Sequence, residues 1–167
     1  MHFRQDRMTG QERIDALFRN IKPDRVPIGA MFTGFQTKNA GFTVGDAYED
    51  AEKSFWATKW TSEQYGWDPV ALYSGHTVLG AMDFGGKVRV PKGEYEGALV
   101  VESYPVKDEQ DIDRLTLPDP KTAGRIPIAM RFAELQAEHG LPVYFFSRSP
   151  LTMAANICGI DQFCRWM

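Results

Sequence analysis

The stretch RVPIGAMFTGFQ, at residues 25–36, is an apolar run that leads into a segment containing glycine. Residues 26–32 lie between turn residues and do not alternate apolar with polar side chains, which is typical of a strand buried on both faces. We expect a Gly- and polar-rich loop to follow, as far as Gly41. The predicted end of this strand carries no charge, and it presents Met31, Phe32, Thr33 and Gln36.

Two further apolar runs, at residues 68–73 and 143–147, each lead into a loop with polar groups and predict two more buried strands. Residues 87–90 and 98–101 flank a turn and predict a small β-ribbon on the surface. Strands that alternate with helices and are buried on both faces indicate a parallel α/β fold. Helices are predicted over residues 9–20, 46–65, 108–115 and 125–139, and from residue 153 onward.

Two helix boundaries have specific signals in the sequence. Thr9 and Glu12 have the spacing of a capping box, with the threonine at the N-cap and the glutamate three residues later. Gly66 is placed to follow the last residue of the helix predicted over 46–65, where glycine adopts a left-handed conformation without strain.

The composition describes an ordinary globular domain rather than a nucleic-acid or membrane protein. The chain has 167 residues and a net charge of -3, with a pI near 5.6, so no bulk field attracts polyanions. No apolar run approaches the roughly 20 residues that span a bilayer, and the N-terminus lacks a signal-peptide core. Two cysteines are typical of reduced thiols here. These features predict a cytoplasmic protein.

Three parallel strands would leave two unpaired edges and an exposed helix layer, which a compact domain rarely tolerates. Residues 164–167 lie inside an apolar helical pattern without a polar tail. We therefore expect residues 1–167 to form an incomplete domain that belongs to a larger unit. The unpaired edges predict dimerisation or aggregation.

Four stretches of the sequence are informative together: MTGQERIDALFRNIKPDRVPIG at residues 8–29, YGWDPVALYSGHTVLGAMDFGGKV at 65–88, DEQDIDRLTLPDPKTAGRIPIAM at 108–130 and SRSPLTMAANICG at 147–159. In this order and spacing they resemble the uroporphyrinogen decarboxylase superfamily. The resemblance implies the N-terminal half of a (β/α)8 TIM barrel, with about three parallel core strands, helices and the inserted β-ribbon. In such barrels the site lies at the C-terminal ends of the strands.

The superfamily has two well-known branches. One decarboxylates the acetate side chains of uroporphyrinogen without a cofactor, and the other passes a methyl group between a corrinoid protein and a thiol or similar acceptor, with zinc. The decarboxylases have two arginines at the end of the first strand, where this sequence has Phe32 and Gln36. They also have an aspartate at the end of the second strand, where this sequence has His76. Guanidinium groups suit a substrate with eight carboxylates, so their absence favours the methyltransferase branch.

The resemblance places the zinc ligands, a His-x-Cys pair and a later cysteine, in the second half of the family barrel. Cys158 and Cys164 are six residues apart, which is not a spacing that puts two thiolates on one metal. We expect no cofactor or metal to be bound by this chain alone. Zinc and a corrinoid partner are implied for the complete methyltransferase-type protein.

The candidate site residues are those at the three predicted strand ends. His76 is the candidate catalytic group, and the bland alternative is a loop histidine bonded to backbone. Arg148 would hold a carboxylate or phosphate of the substrate, or pair with an acidic neighbour. Thr152 is expected to cap the helix after the third strand, with a secondary role in binding. Gln36 and the apolar wall formed by Met31 and Phe32 complete the substrate-binding set.

Several other residues are assigned packing roles. Phe35 would extend the wall against a corrinoid or a flat substrate, whereas a core position is the stronger expectation for Met31. Cys158 and Cys164 are expected to be buried as small hydrophobes. The tryptophans that are expected to pack on helix faces are Trp56, Trp60 and Trp67.

Three functions remain open from the sequence. The leading hypothesis is part of a corrinoid-dependent methyltransferase that moves a methyl group to a thiol or similar acceptor. The second is a decarboxylase of uroporphyrinogen or a smaller acid, with Arg148 replacing the lost arginines. The third is a truncated or split fragment without activity of its own. The expected partners are a corrinoid protein or a small-molecule substrate, together with a second copy or a complementing C-terminal half.

Overall fold

The computed structural model describes residues 6–68, 73, 80–93, 96–143 and 148–167. The helices of this part are α1 (Gly10–Phe18), α2 (Thr33–Asn39), α3 (Val44–Glu49), α4 (Ala51–Tyr65), α5 (Glu109–Asp113), α6 (Ile126–Glu138), α7 (Pro150–Cys158) and α8 (Ile160–Trp166). The strands are β1 (Lys87–Arg89) and β2 (Val100–Ser103). None of these helices combines the length and the apolar character needed to cross a bilayer.

The predicted capping signals are confirmed. Thr9 is the N-cap of α1, where its Oγ1 accepts a hydrogen bond from the Glu12 N–H at 3.2 Å and the Glu12 carboxylate accepts one from the Thr9 N–H at 2.7 Å. Gly66 ends α4 in the left-handed region, at φ 63°. The helix predicted over residues 46–65 is divided into α3 and α4 at Asp50, because this carboxylate caps α4 by accepting from the Glu52 and Lys53 N–H groups.

The loop predicted after residue 32 is wrong, because residues 33–39 form α2. The Thr37 hydroxyl donates to the Thr33 carbonyl at 2.7 Å, and Thr61 of α4 donates to the Gln36 carbonyl at 3.4 Å. Gln36 and Thr37 are both buried. Tertiary packing against α4 therefore stabilises a short helix that local propensity does not predict.

The segment predicted as the first buried strand, residues 26–32, is not a regular strand in the structure. Val26 and Ile28 are exposed, so burial on both faces is wrong for them. Asp68 explains the geometry, because its N–H donates to the Ile28 carbonyl and its carboxylate accepts from the Ile28 N–H, each at 2.7 Å. The Asp68 side chain thus accepts the hydrogen bond from Ile28 that a backbone carbonyl would accept in a regular strand pair. Most of the other two predicted strands, residues 69–72 and 144–147, lies outside the described residues.

The predicted β-ribbon is confirmed as an antiparallel pair. Val88 pairs with Val101 and Arg89 with Val100, with an irregularity between residues 87 and 88. The ribbon packs on α3, since the Tyr48 hydroxyl donates to the Gly97 carbonyl at 3.1 Å. Their shared small core contains buried Val44, Tyr48 and Leu99.

The main core joins α4, α6 and the end of the second predicted strand. The Phe55 and Phe132 rings meet edge to face with centroids 5.8 Å apart, and Tyr73 packs against Phe132 at 5.9 Å. Ala51 and Leu135 complete the buried cluster. The predicted helix over residues 125–139 is therefore confirmed as α6, and its apolar stripe supplies Phe132 and Leu135 to this core.

The first prediction concerns the buried carboxylate of Asp68. Asp68→Asn replaces one acceptor oxygen with a donor that faces the Ile28 N–H or the guanidinium groups of Arg13 and Arg25. We expect a loss of about 3 kcal/mol in the free energy of unfolding, because a buried charge network loses one partner. Urea unfolding measures it, with Asp113→Asn on exposed α5 as the control.

The same variant predicts a pH dependence. Burial raises the pKa of Asp68, but hydrogen bonds from the Ile28 N–H, Arg25 and Arg13 outweigh it and lower the pKa below 3.8. A carboxyl with a depressed pKa contributes stability above its unfolded pKa and loses it as the pH falls through the folded pKa. The stability difference between wild type and Asp68→Asn should therefore shrink as the pH falls below about 4. An undiminished difference would contradict this assignment.

Candidate functional site

The end of the first predicted strand presents apolar side chains to solvent. Met31 is 60% exposed and Phe32 is 62% exposed, so the expectation that Met31 is a core residue is wrong. Gln36 is buried instead, and its Nε2 donates to the Ala30 carbonyl at 3.3 Å. The Gln36 N–H donates to the Phe32 carbonyl at 2.8 Å, which opens α2. Gln36 therefore holds the backbone of this segment, whereas Met31 and Phe32 form its surface.

Phe32 belongs to a continuous aromatic face that also contains Phe35, Tyr65 and Trp67. The Tyr65 and Trp67 rings stack with centroids 5.5 Å apart, and Phe35 meets Tyr65 edge to face at 5.4 Å. Phe32 meets Trp67 at 6.5 Å. Trp67 packs on rings of α4 and α2, as predicted, and it also meets Phe32 of the predicted wall. Tyr65 is not among the predicted site residues. It and Trp67 flank Gly66, the residue that ends α4.

A separate row of aromatic rings lies along α4, as predicted for Trp56 and Trp60. These two rings stack with centroids 5.3 Å apart, and His139 approaches Trp56 edge to face at 4.9 Å. Phe42 stacks on Trp60 at 6.4 Å. This row pairs residues of α4 with the end of α6, so its role is packing.

The N-terminus of α7 carries the residues predicted at the third strand end. Ser149, with φ -64° and ψ 152°, is the N-cap, and its Oγ accepts from the Thr152 N–H at 3.3 Å. The prediction that Thr152 is the cap is therefore wrong, because Pro150 already begins the helix and Thr152 is its third residue. The Thr152 hydroxyl contacts the Ser149 hydroxyl at 3.0 Å. Arg148 is half-buried and directly precedes this cap.

His76 lies in residues 74–79, outside the described part, and its role stays a prediction. The nearest described residue, Tyr73, is buried and donates its hydroxyl proton to the Tyr48 carbonyl at 2.5 Å. Burial raises the pKa of Tyr73 to about 12, although Arg125 opposes the rise. The hydroxyl is therefore protonated at neutral pH.

Arg125 joins Tyr73 in a polar cluster that the sequence reasoning missed. Its Nη1 donates to the Tyr48 carbonyl, and its backbone N–H donates to Asp83 Oδ1 at 3.0 Å. Gly124, at φ 52°, permits this approach because a Cβ there would collide with Asp83. One signal was available in the sequence. Arg125 lies at the N-terminus of a predicted helix, where a positive charge is unfavourable because of the helix dipole.

A protein-family model described as Uroporphyrinogen decarboxylase (URO-D) matches residues 9–167, nearly the whole chain. The chain belongs to the uroporphyrinogen decarboxylase family. Among solved structures, a methyltransferase from Methanosarcina mazei matches with a TM-score of 0.70 at 18% sequence identity, over 95% of this chain and 48% of that chain. No curated protein matches it.

At 18% identity the likeness shows the fold of this URO-D family chain. The predicted fold class, part of a TIM-type barrel with a small β-ribbon, is confirmed. The chain spans about half of the solved structure, since the match covers 48% of that protein. The family resemblance given by the four sequence stretches is confirmed as well.

The two cysteines of this URO-D family chain differ in their surroundings. Cys158 is buried as predicted, and its Sγ donates to the Ala154 carbonyl at 3.2 Å, while burial raises the pKa of the thiol. Cys164 is exposed, so the prediction of burial is wrong for this residue. Among the residues that the structure describes, no three His, Cys, Asp or Glu side chains are grouped to hold a metal. These residues do not fit a zinc site.

The corrected cap of α7 gives a second prediction. Ser149→Ala should lower the free energy of unfolding by about 1 kcal/mol, because the N-cap hydroxyl satisfies an otherwise unpaired backbone N–H. Thr152→Val keeps the shape of its side chain and should have a smaller effect. Urea unfolding of both variants measures the difference. If Thr152→Val were the more damaging change, Thr152 would be the cap after all.

Proposed function

We propose that this chain forms part of a corrinoid-dependent methyltransferase, which moves a methyl group to a thiol or similar acceptor. The observation that carries the proposal is the uncharged surface at the end of residues 26–32, the segment predicted as the first strand. Phe32 is exposed and Gln36 is buried at the positions where the resemblance gives arginines in the decarboxylases. A substrate with eight carboxylates would leave its charges unmatched on this surface.

An apolar and aromatic surface suits a different occupant. Large rings bury 150–250 Å² each and contribute through stacking and edge contacts. The exposed Phe32 meets Trp67 of the stacked pair Tyr65 and Trp67, and the exposed Met31 directly precedes Phe32 in the chain. In this proposal the surface contacts the face of the corrin ring of a corrinoid carried by a partner protein. The fold likeness to a methyltransferase supports the same branch at the level of architecture.

In this proposal the residues of the chain bind and position the substrate. Met31 and Phe32 form the apolar wall, and Gln36 holds that wall through Ala30. Arg148 and the neighbouring Thr152 bind a polar group of the acceptor at the N-terminus of α7. His76 is the candidate catalytic group. Zinc and the corrinoid belong to the complete methyltransferase, where the metal would convert the acceptor thiol to its thiolate.

The proposal extends to the context in which residues 1–167 work. We propose that they act as an incomplete barrel domain in the cytoplasm, together with the remaining strands of the barrel. Those strands would be supplied by the same protein or by a complementing partner. A partial barrel is expected to leave strand edges unpaired, and such edges favour either this arrangement or a dimer.

A decarboxylase is the second candidate, because the matching family model carries that name. Arg148 would then replace the arginines that the first segment lacks. The two functions differ in substrate charge, so one change should separate them. A guanidinium at position 32 would favour a polycarboxylate and oppose an apolar macrocycle.

The third prediction tests this choice in the complete barrel. Loss of the methyl group from methylcobalamin in the presence of a thiol is expected, whereas conversion of uroporphyrinogen is not. Phe32→Arg should lower methyl transfer by about tenfold or more, because a charge replaces an apolar contact. Phe32→Leu is the control and should retain most of the activity. Uroporphyrinogen decarboxylation without methyl transfer would sink the proposal in favour of the second candidate.

The fourth prediction concerns the polar groups of the site. His76→Ala should lower turnover by about 100-fold if the imidazole transfers a proton. Arg148→Ala should lower kcat/KM by about tenfold through weaker substrate binding. Arg114→Ala, at an exposed position after α5, is the control, and thermal unfolding should be unchanged in all three. Full activity in both site variants would remove these residues from the site.

A further inference from the structure

The end of α1 presents three apolar side chains to solvent. Phe18 is 78% exposed, and at least half of the surface of Leu17 and of Ile21 is exposed as well. Asn20 turns the chain in the left-handed region, at φ 59°, and the Ile21 N–H donates to the Ala16 carbonyl at 2.8 Å. This helix-ending turn holds Ile21 against the last turn of α1. Leu17, Phe18 and Ile21 therefore form one fixed apolar projection, the α1 tip.

An apolar cavity lies between α5, α7 and α8, with a volume of about 290 Å³. Its lining includes Val106, Ile112, Ile157, Phe163 and Trp166. Such a cavity has room for several water molecules but offers them few hydrogen-bonding partners. An apolar group that replaced this water would therefore be favoured. We call this space the α5–α8 cavity.

The margins of the α1 tip and of the α5–α8 cavity carry opposite charges. Residues 16–22, which contain the tip, include two basic side chains, Arg19 and Lys22, and no acidic one. Residues 108–113, which contain Ile112 of the cavity, include four carboxylates and no basic side chain. Glu109 and Asp113 are exposed on either side of Ile112. Opposite charges around an apolar contact favour encounter and fix its register.

The two surfaces belong to opposite edges of the partial barrel. The α1 tip precedes the first predicted strand, whereas α7 and α8 follow the third. A barrel closes when its last unit meets its first. The structural match covers 48% of the solved methyltransferase, and twice this share is nearly the whole of that chain. Two copies related by a two-fold axis would place the first edge of each beside the last edge of the other, and would make the same contact twice.

We infer that the α1 tip of one chain inserts into the α5–α8 cavity of a second copy, so that two chains form a closed pair. The inference rests on the partial barrel of the proposed function and is independent of methyl transfer. Phe18, the most exposed residue of the tip, enters the cavity beside Ile112. Arg19 and Lys22 then face the carboxylates of α5, where the remaining water is partly excluded and the attraction is less screened.

Sedimentation equilibrium of this chain over a wide range of concentrations tests the pairing. Wild type should form dimers whose fraction rises with concentration. Phe18→Glu and Ile112→Glu should each raise the dimer Kd by at least about tenfold, because each places a charge in an apolar contact. Met130→Glu is the matched control, since Met130 of α6 is 46% exposed, against 47% for Ile112, and lies on neither surface. This control should dimerise like wild type.

A mixture of the two variants distinguishes the contact between tip and cavity from other ways of pairing. Phe18→Glu keeps an intact cavity, and Ile112→Glu keeps an intact tip. A mixed pair therefore retains one of the two contacts, whereas a pair of identical variants retains neither. We expect the mixture to associate more strongly than either variant alone. A mixture that associates no more strongly would overturn this pairing.

The remaining outcomes separate the inference from the proposed function. A wild type that stays monomeric at every concentration would overturn the inference, and so would dimers that neither variant weakens. Circular dichroism should show the same helical signal in every variant, because the substituted side chains are exposed. If Phe18→Glu does not fold, Leu17→Lys takes its place. Failure of the complete barrel to transfer a methyl group would remove the proposed function but leave a pairing that passes these tests intact.

Discussion

The carboxylate of Asp68 holds together the parts of the chain on which the rest of the fold depends. It accepts hydrogen bonds from Arg13 of α1, from Arg25 and from the Ile28 N–H, at 2.6–2.7 Å. The group is 2% exposed, so its charge is tolerated only because these donors surround it. The interaction joins α1, residues 25–28 and Asp68, which begins the second predicted strand. Loss of one of these donors would leave the buried carboxylate without its full set of hydrogen bonds.

The two ends of the second predicted strand have different electrostatics. At its start, Asp68 is saturated by cations, and this arrangement serves stability, as is usual for the lower face of a barrel. At its end, Tyr73 meets the buried Arg125, whose charge has no carboxylate partner among the described residues. The charge at the start of the strand is therefore fully paired, whereas Arg125 at its end has no carboxylate partner among the described residues. The exposed aromatic face around Phe32 contributes no charge of its own.

The family and many local elements follow from the sequence because their signals are local. The capping box at Thr9, the helix end at Gly66 and the ribbon flanked by residues 87–90 each depend on residues a few positions apart. The helix α2 is different, since burial of Gln36 and Thr37 against α4 stabilises it. The seven residues of α2 contain no pattern from which this burial could be predicted.

The sequence by itself determined the family, the barrel-type α/β fold and the lack of arginines at the end of the first segment. The tertiary structure alone decided that Met31 is exposed, that Gln36 is buried and that Ser149 rather than Thr152 caps α7. It also brought Arg125 to Tyr48, 77 residues away in the chain. The physical reason is that burial and pairing depend on distant neighbours. A residue type alone shows what a side chain can bind, and only the fold shows whether a partner is present.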